Sequence, residues 1–83
     1  METRVAVIAI IVENLDSTDK LNSILHEYSS FIVGRMGIPY RQRKLNIISI
    51  VIDAPSDDIN LITGQIGRLP GVTAKAAFSN IGG

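Results

Sequence analysis

Two kinds of hydrophobic pattern alternate along the chain. Residues 4–12, RVAVIAIIV, are apolar at nearly every position and are bounded by Glu13, Asn14 and Asp16, which predicts a strand buried on both faces. Leu21, Ile24, Leu25 and Tyr28 then recur at i, i+3, i+4 and i+7, the spacing of one helical face, in a helix that ends near Ser29. Asp16 or Ser17 can cap its start by accepting a hydrogen bond from a free backbone N–H. Phe31 to Tyr40 is a second, less regular strand. Gly34 and Gly37 suggest a bulge or a close backbone approach there, and Pro39 favours an edge. Arg41 to Lys44 forms the turn that follows, and with no Asn-Gly pair it is expected to exceed two residues.

Leu45 to Asp53, LNIISIVID, predicts a third strand, broken by Ala54-Pro55-Ser56. Ser56 can cap the next helix, and Asp57 and Asp58 suit the positive end of its dipole. Ile59, Ile62, Ile66 and Leu69 form its inward stripe, and Pro70-Gly71 ends it. Val72 to Ser79 reads as a half-exposed strand, and residues 80–83 are expected to fray. The order β-α-β-β-α-β is that of a ferredoxin-like plait: α+β, a four-stranded antiparallel sheet with two helices on one face, in one domain over residues 1–83. The first and third strands are expected at the centre and the other two at the edges.

That arrangement has a consequence for assembly. Val5, Val7, Ala9 and Ile11 point one way along the first strand, and Ala6, Ile8, Ile10 and Val12 the other. Two helices cover only one face of such a sheet, so the second apolar face would stay wet, which monomers rarely tolerate. A homodimer or higher homo-oligomer through the sheet face is expected, with edge pairing as the alternative.

Composition narrows the chemistry. The 83 residues carry eight Lys and Arg against eight Asp and Glu, with no cysteine. Neutral charge gives no support for bulk nucleic-acid binding or a polybasic membrane anchor. The lack of cysteine removes disulfides, iron–sulfur ligation and thiolate metal sites. Residues 5–12 are too short to span a bilayer, so a cytoplasmic location is expected. The central strands hold no aromatic ring on which RNA bases could stack. The single His26 falls roughly opposite the apolar helical stripe and reads as solvated. Asp53, Asp57 and Asp58 read as helix-terminus and surface carboxylates before a cation site. Ser29, Ser30 and Ser56 are not read as nucleophiles. No cofactor and no metal site is expected. Gly64 and Gly67 lie near the outer face of the second helix, for a packing reason or as tolerated weak points.

Half of the chain's cations, Arg35, Arg41, Arg43 and Lys44, crowd into FIVGRMGIPYRQRK, residues 31–44. Either they solvate a turn, with Arg35 paired to an acidic neighbour, or they hold something. In the second reading Gly34 and Gly37 admit a ligand or a neighbouring subunit to the backbone. Arg35 and Arg41 then grip a carboxylate or phosphate by paired hydrogen bonds. With Tyr40 at the strand's end, the candidate ligand-binding set is Gly34, Arg35, Gly37, Tyr40 and Arg41.

The stretch GRMGIPYRQRKLNIISIVIDAPSDDINLITGQIGRLPGV, residues 34–72, resembles the iron-only hydrogenase system regulators, most tellingly in Gly34 to Tyr40 and the basic turn. The resemblance runs roughly from Arg4 to Ser79. It implies an ACT-like version of the plait and a regulatory role tied to hydrogenase assembly systems. The broader class includes amino-acid-sensing ACT domains and the ligand-binding half of a nickel-responsive repressor. The nickel ligands of the latter are missing here. The glycine usual after the first strand of amino-acid-binding ACT domains is replaced by Glu13-Asn14-Leu15-Asp16. The expected role is a non-catalytic, oligomeric regulatory module that binds a small anionic effector or a protein partner. The alternative is a small accessory enzyme or assembly factor that uses the Arg35/Arg41 region.

Overall fold

The two uninterrupted Val/Ile runs take the middle of the sheet. The computed structural model describes residues 2–80. In chain order it contains strand β1 (Arg4–Val12), helix α1 (Thr18–Glu27), strand β2 (Ile32–Tyr40), strand β3 (Leu45–Ala54), helix α2 (Ser56–Gly67) and strand β4 (Val72–Phe78). Short 3-10 turns, Leu15–Ser17, Ser29–Phe31 and Arg41–Arg43, lead into α1, β2 and β3. The strand order is β2-β3-β1-β4 and every pairing is antiparallel. Of residues 80–83, expected to fray, 81–83 fall outside the described residues. Among those described, no helix is long and apolar enough to cross a membrane.

The core lies between the sheet and the helices. Ala6, Ile8, Ile10 and Val12 of β1 and Ile48, Ile50 and Ile52 of β3 meet Leu21 and Leu25 of α1 and Ile59, Ile62 and Ile66 of α2. Each isoleucine buried there stabilises the fold by about 1.5–3 kcal/mol. Ile24, Tyr28 and Leu69 pack at the margin of this core. On the other side of the sheet the same strands present Val5, Val7 and Ile11 of β1 and Ile47 of β3, all exposed.

Local chemistry departs from expectation at both helix starts. Ser17 does occupy the cap position of α1 but makes no side-chain cap bond; the side-chain cap belongs to the 3-10 turn before it, where Asn14 Oδ1 accepts from the Asp16 N–H at 3.0 Å. The Ser17 hydroxyl is turned inward and donates to the Pro70 carbonyl at 2.7 Å. Ser17 is buried, so its hydroxyl must find a protein partner, and the link between α2 and β4 supplies one. Ser56 is likewise no cap: Pro55 occupies that position and makes no side-chain hydrogen bond. Neither glycine of β2 has an atom within 4 Å of where its Cβ would stand, so no close backbone approach explains them, and only Gly34 lies beside a bulge. That bulge, at Val33, breaks the register between Ile32 and Gly34. The turn after β2 closes through the Lys44 N–H on the Arg41 carbonyl at 3.2 Å, with Lys44 at a φ of 55°.

Candidate functional site

β2 is the edge strand beside α1, and its alternation divides the candidate residues. Residues paired across a ladder share a face. Gly34 pairs with Val51, Met36 with Ser49, Ile38 with Ile47 and Tyr40 with Leu45, so these point to the open face. Arg35 pairs with Ile50 and Gly37 with Ile48; both isoleucines are buried under the helices, so Arg35 and Gly37 belong to the helix side. Arg41 lies past the strand's end in the 3-10 turn. Extended chain from Arg35 to Arg41 separates them by roughly 20 Å, too far for both to hold one small anion. Tyr40 donates to the side chain of Gln42 at 3.2 Å. Of the five candidates, only Arg35 and Gly37 share a site.

That site is a groove between α1 and the free edge of β2. Two adjoining hollows, of about 460 and 310 Å³, meet at Asn22 and Arg35. The larger continues along Leu25, His26, Ser29 and Ile32. The smaller runs past Thr18, Gly37, Ile38, Pro39, Asn46 and Ile48. The floor is therefore apolar, from Leu25, Ile32 and Ile48, and the rim carries hydroxyl, amide, imidazole and guanidinium groups. Gly37 contributes by omission, since no atom stands within 4 Å of where its Cβ would be.

Arg35 makes one side-chain hydrogen bond, donating to Asn22 Oδ1 at 3.3 Å. It forms no ion pair among the described residues, so the expected acidic neighbour is absent there. A guanidinium has five N–H donors in a planar fork, and a neutral amide at 3.3 Å engages only one. The remaining donors face water or whatever occupies the groove.

Thr18, Asn22, His26 and Ser29 were not among the candidates. Their signal was present: 18, 22, 26 and 29 form a polar stripe at helical spacing beside the apolar stripe of 21, 25 and 28. His26 is exposed, as its place on the helix predicts, but it shares the wall of the larger hollow with Ser29. Asn46 could be found only by pairing β3 with β2, opposite Pro39.

The loop after β1, the place marked by a glycine in amino-acid-binding ACT domains, is closed by its own hydrogen bonds. The N–H groups of Glu13 and Asn14 go to the Gly71 carbonyl, at 2.7 and 3.4 Å, and that of Ser17 goes to Asn14. The Asp16 N–H is held by the Asn14 side chain. Few backbone donors are left there for a ligand. Among the described residues, no three His, Cys, Asp or Glu side chains gather so as to hold a metal ion.

Four antiparallel strands in the order β2-β3-β1-β4, with both helices on one face, define a ferredoxin-like α+β plait. The chain belongs to the TM1266-like family, described as "Iron-only hydrogenase system regulator, putative", whose model matches residues 4–76. It is similar in structure to the uncharacterized protein TM1266 from Thermotoga maritima, with a TM-score of 0.89 and 29% sequence identity over 93% of this chain and 98% of that one. No curated protein matches it.

Proposed function

We propose that the chain is a non-catalytic regulatory module that binds a small anionic effector in the groove between α1 and β2, in the iron-only hydrogenase context its family description names. The observation that carries this reading is Arg35, a guanidinium with only a neutral partner at the meeting point of two hollows. A carboxylate would take the remaining fork donors in a charge-assisted, bidentate pair, which is stronger and more directional than the bond to Asn22. Asn22, Thr18 and Asn46 offer further neutral polar contacts, and the floor accepts an apolar tail. A small organic acid with a short aliphatic portion fits this division.

The non-catalytic part of this reading is supported by the regulator description of the family. His26 and Ser29 line one wall of the larger hollow, and among the described residues no hydrogen bond pairs them as base and nucleophile.

The test is thermal unfolding of the parent chain, Arg35→Ala and Gly37→Val against a panel of small carboxylates and phosphate esters. A ligand that binds only the folded state raises the midpoint, by about 2.7 kcal/mol of stability at a hundredfold excess over its Kd. Gly37→Val is accepted by the strand, because its Cβ meets nothing within 4 Å and β-branched side chains suit strands. It nevertheless projects an isopropyl group into the smaller hollow, which Gly37 lines. A stabilising ligand should lose its effect in both variants and be recovered unchanged from the parent. A ligand that stabilises both variants as it does the parent refutes the site, and one that is converted refutes the non-catalytic reading.

A further inference from the structure

We propose that the open face of the sheet is the interface of a two-fold homodimer, formed face to face with a second copy of this chain. Seven of the ten large hydrophobic residues exposed among the described residues lie on it: Val5, Val7 and Ile11 from β1, Ile47 from β3, and Met36, Ile38 and Tyr40 from β2. Scattered exposed apolar residues need no explanation, but a contiguous apolar sheet face on a small chain does.

Size and charge both favour a second copy as the occupant. Four strands of nine, nine, ten and seven residues, spaced about 4.8 Å apart and rising about 3.3 Å per residue, give a flat footprint of roughly 550 Å². Side chains corrugate that footprint, so two copies bury on the order of 1,200 Å² or more, within the range of specific interfaces. The chain has no net charge to drive copies apart.

The face's own charges are self-complementary. Asp53 of β3 pairs with Val5, and Lys75 of β4 pairs with Ala9, so Val7 lies midway between the carboxylate and the amine. A two-fold axis over Val7 exchanges the two positions. Each copy's Lys75 is then carried toward the other's Asp53, while the apolar residues between them meet in the middle. Ala9 and Ser49, small side chains in the central row, leave a shallow floor for the partner's larger ones. The helix-side groove lies on the opposite side of the sheet and shares with this face only Ile38, at the strand edge, so substitutions at Val7 and Met36 test the interface without entering the groove.

Sedimentation velocity on the full chain at micromolar concentration tests the proposal. The parent should run as a dimer. Val7→Glu sets two carboxylates against each other at the axis and Met36→Glu sets one into the apolar field. Each should weaken association by about 100-fold or more and yield a monomer with an unchanged circular-dichroism spectrum. Met36 is 61% exposed on an edge strand, so its variant does not touch the core and decides the question even if Val7→Glu is unstable. A parent that stays monomeric overturns the proposal. So does a dimer indifferent to both substitutions, since the copies would then join by their strand edges.

Discussion

Gly71 holds the junction between the end of β1 and the start of β4, and replacing it by alanine should be among the most damaging single-methyl changes in the chain. Its φ is +68°, a left-handed conformation that costs a residue with a Cβ roughly 1–2 kcal/mol. The space is also missing. An added Cβ would stand 2.5 Å from the Asn14 Cβ and 2.9 Å from the Asn14 backbone nitrogen. Asn14 cannot easily retreat: its Oδ1 holds the Asp16 N–H, and the Gly71 carbonyl binds the Glu13 N–H at 2.7 Å. Relief therefore means backbone movement, and overpacking of this kind costs about 1–3 kcal/mol. The sum, about 2–5 kcal/mol, is a large part of what a domain of this length has. It corresponds to a fall in midpoint of about 8 °C or more at about 4–8 °C per kcal/mol. Urea and thermal unfolding followed by circular dichroism measure it. Gly71→Asn separates the two causes, because asparagine tolerates positive φ better than alanine but carries the same Cβ. It should recover no more than about 1 kcal/mol of the loss. An alanine variant within about 0.5 kcal/mol of the parent, the usual scatter of harmless surface changes, would refute both the strain and the contact.

Two further outcomes follow from the same geometry. Gly64→Ala should raise stability by about 0.5–1 kcal/mol in urea unfolding, since the nearest atom to the new Cβ is an Arg68 nitrogen at an ordinary 3.9 Å; failure to stabilise would mean that this outer surface is packed against something. Ser17→Ala should cost about 1–2 kcal/mol in the same assay by leaving the Pro70 carbonyl without its 2.7 Å donor, and a neutral result would show that water replaces the hydroxyl.

The architecture was legible because it rests on periodicity. Short Val/Ile-rich runs apolar at both odd and even positions read as central strands; residues 4–12 and 45–53 were read so, and the strands Arg4–Val12 and Leu45–Ala54 take the centre of the sheet. The i, i+3, i+4 stripes of both helices face the core as spacing requires. Caps were less legible, since Asn14, Asp16, Ser17 and Ser56 are all competent and tertiary contacts chose among them; Ser17 was diverted by Pro70, a residue far along the chain. The site was legible only in part. Crowding of cations along residues 35–44 suggested one anion held by two arginines, but charge density in sequence ignores the strand's alternation and its length. Arg35 had a neutral helical partner that only the packing of α1 beside β2 could reveal.

The alternation of β2 also explains why one short edge strand raises two separate functional questions. Gly34, Met36, Ile38 and Tyr40 extend the apolar open face, whereas Arg35, Gly37 and Pro39 border the groove under α1. Neighbouring positions in sequence therefore face different surroundings, and a one-residue slip would exchange them. The bulge at Val33 and the pairing of Tyr40 with Leu45 pin that register at the two ends of the strand. Sequence proximity in GRMGIPY is thus no argument that Arg35 and Met36 act together. Loss of effector response on substituting Arg35, with association intact, and loss of association on substituting Met36, with effector response intact, are two readings of one pleat.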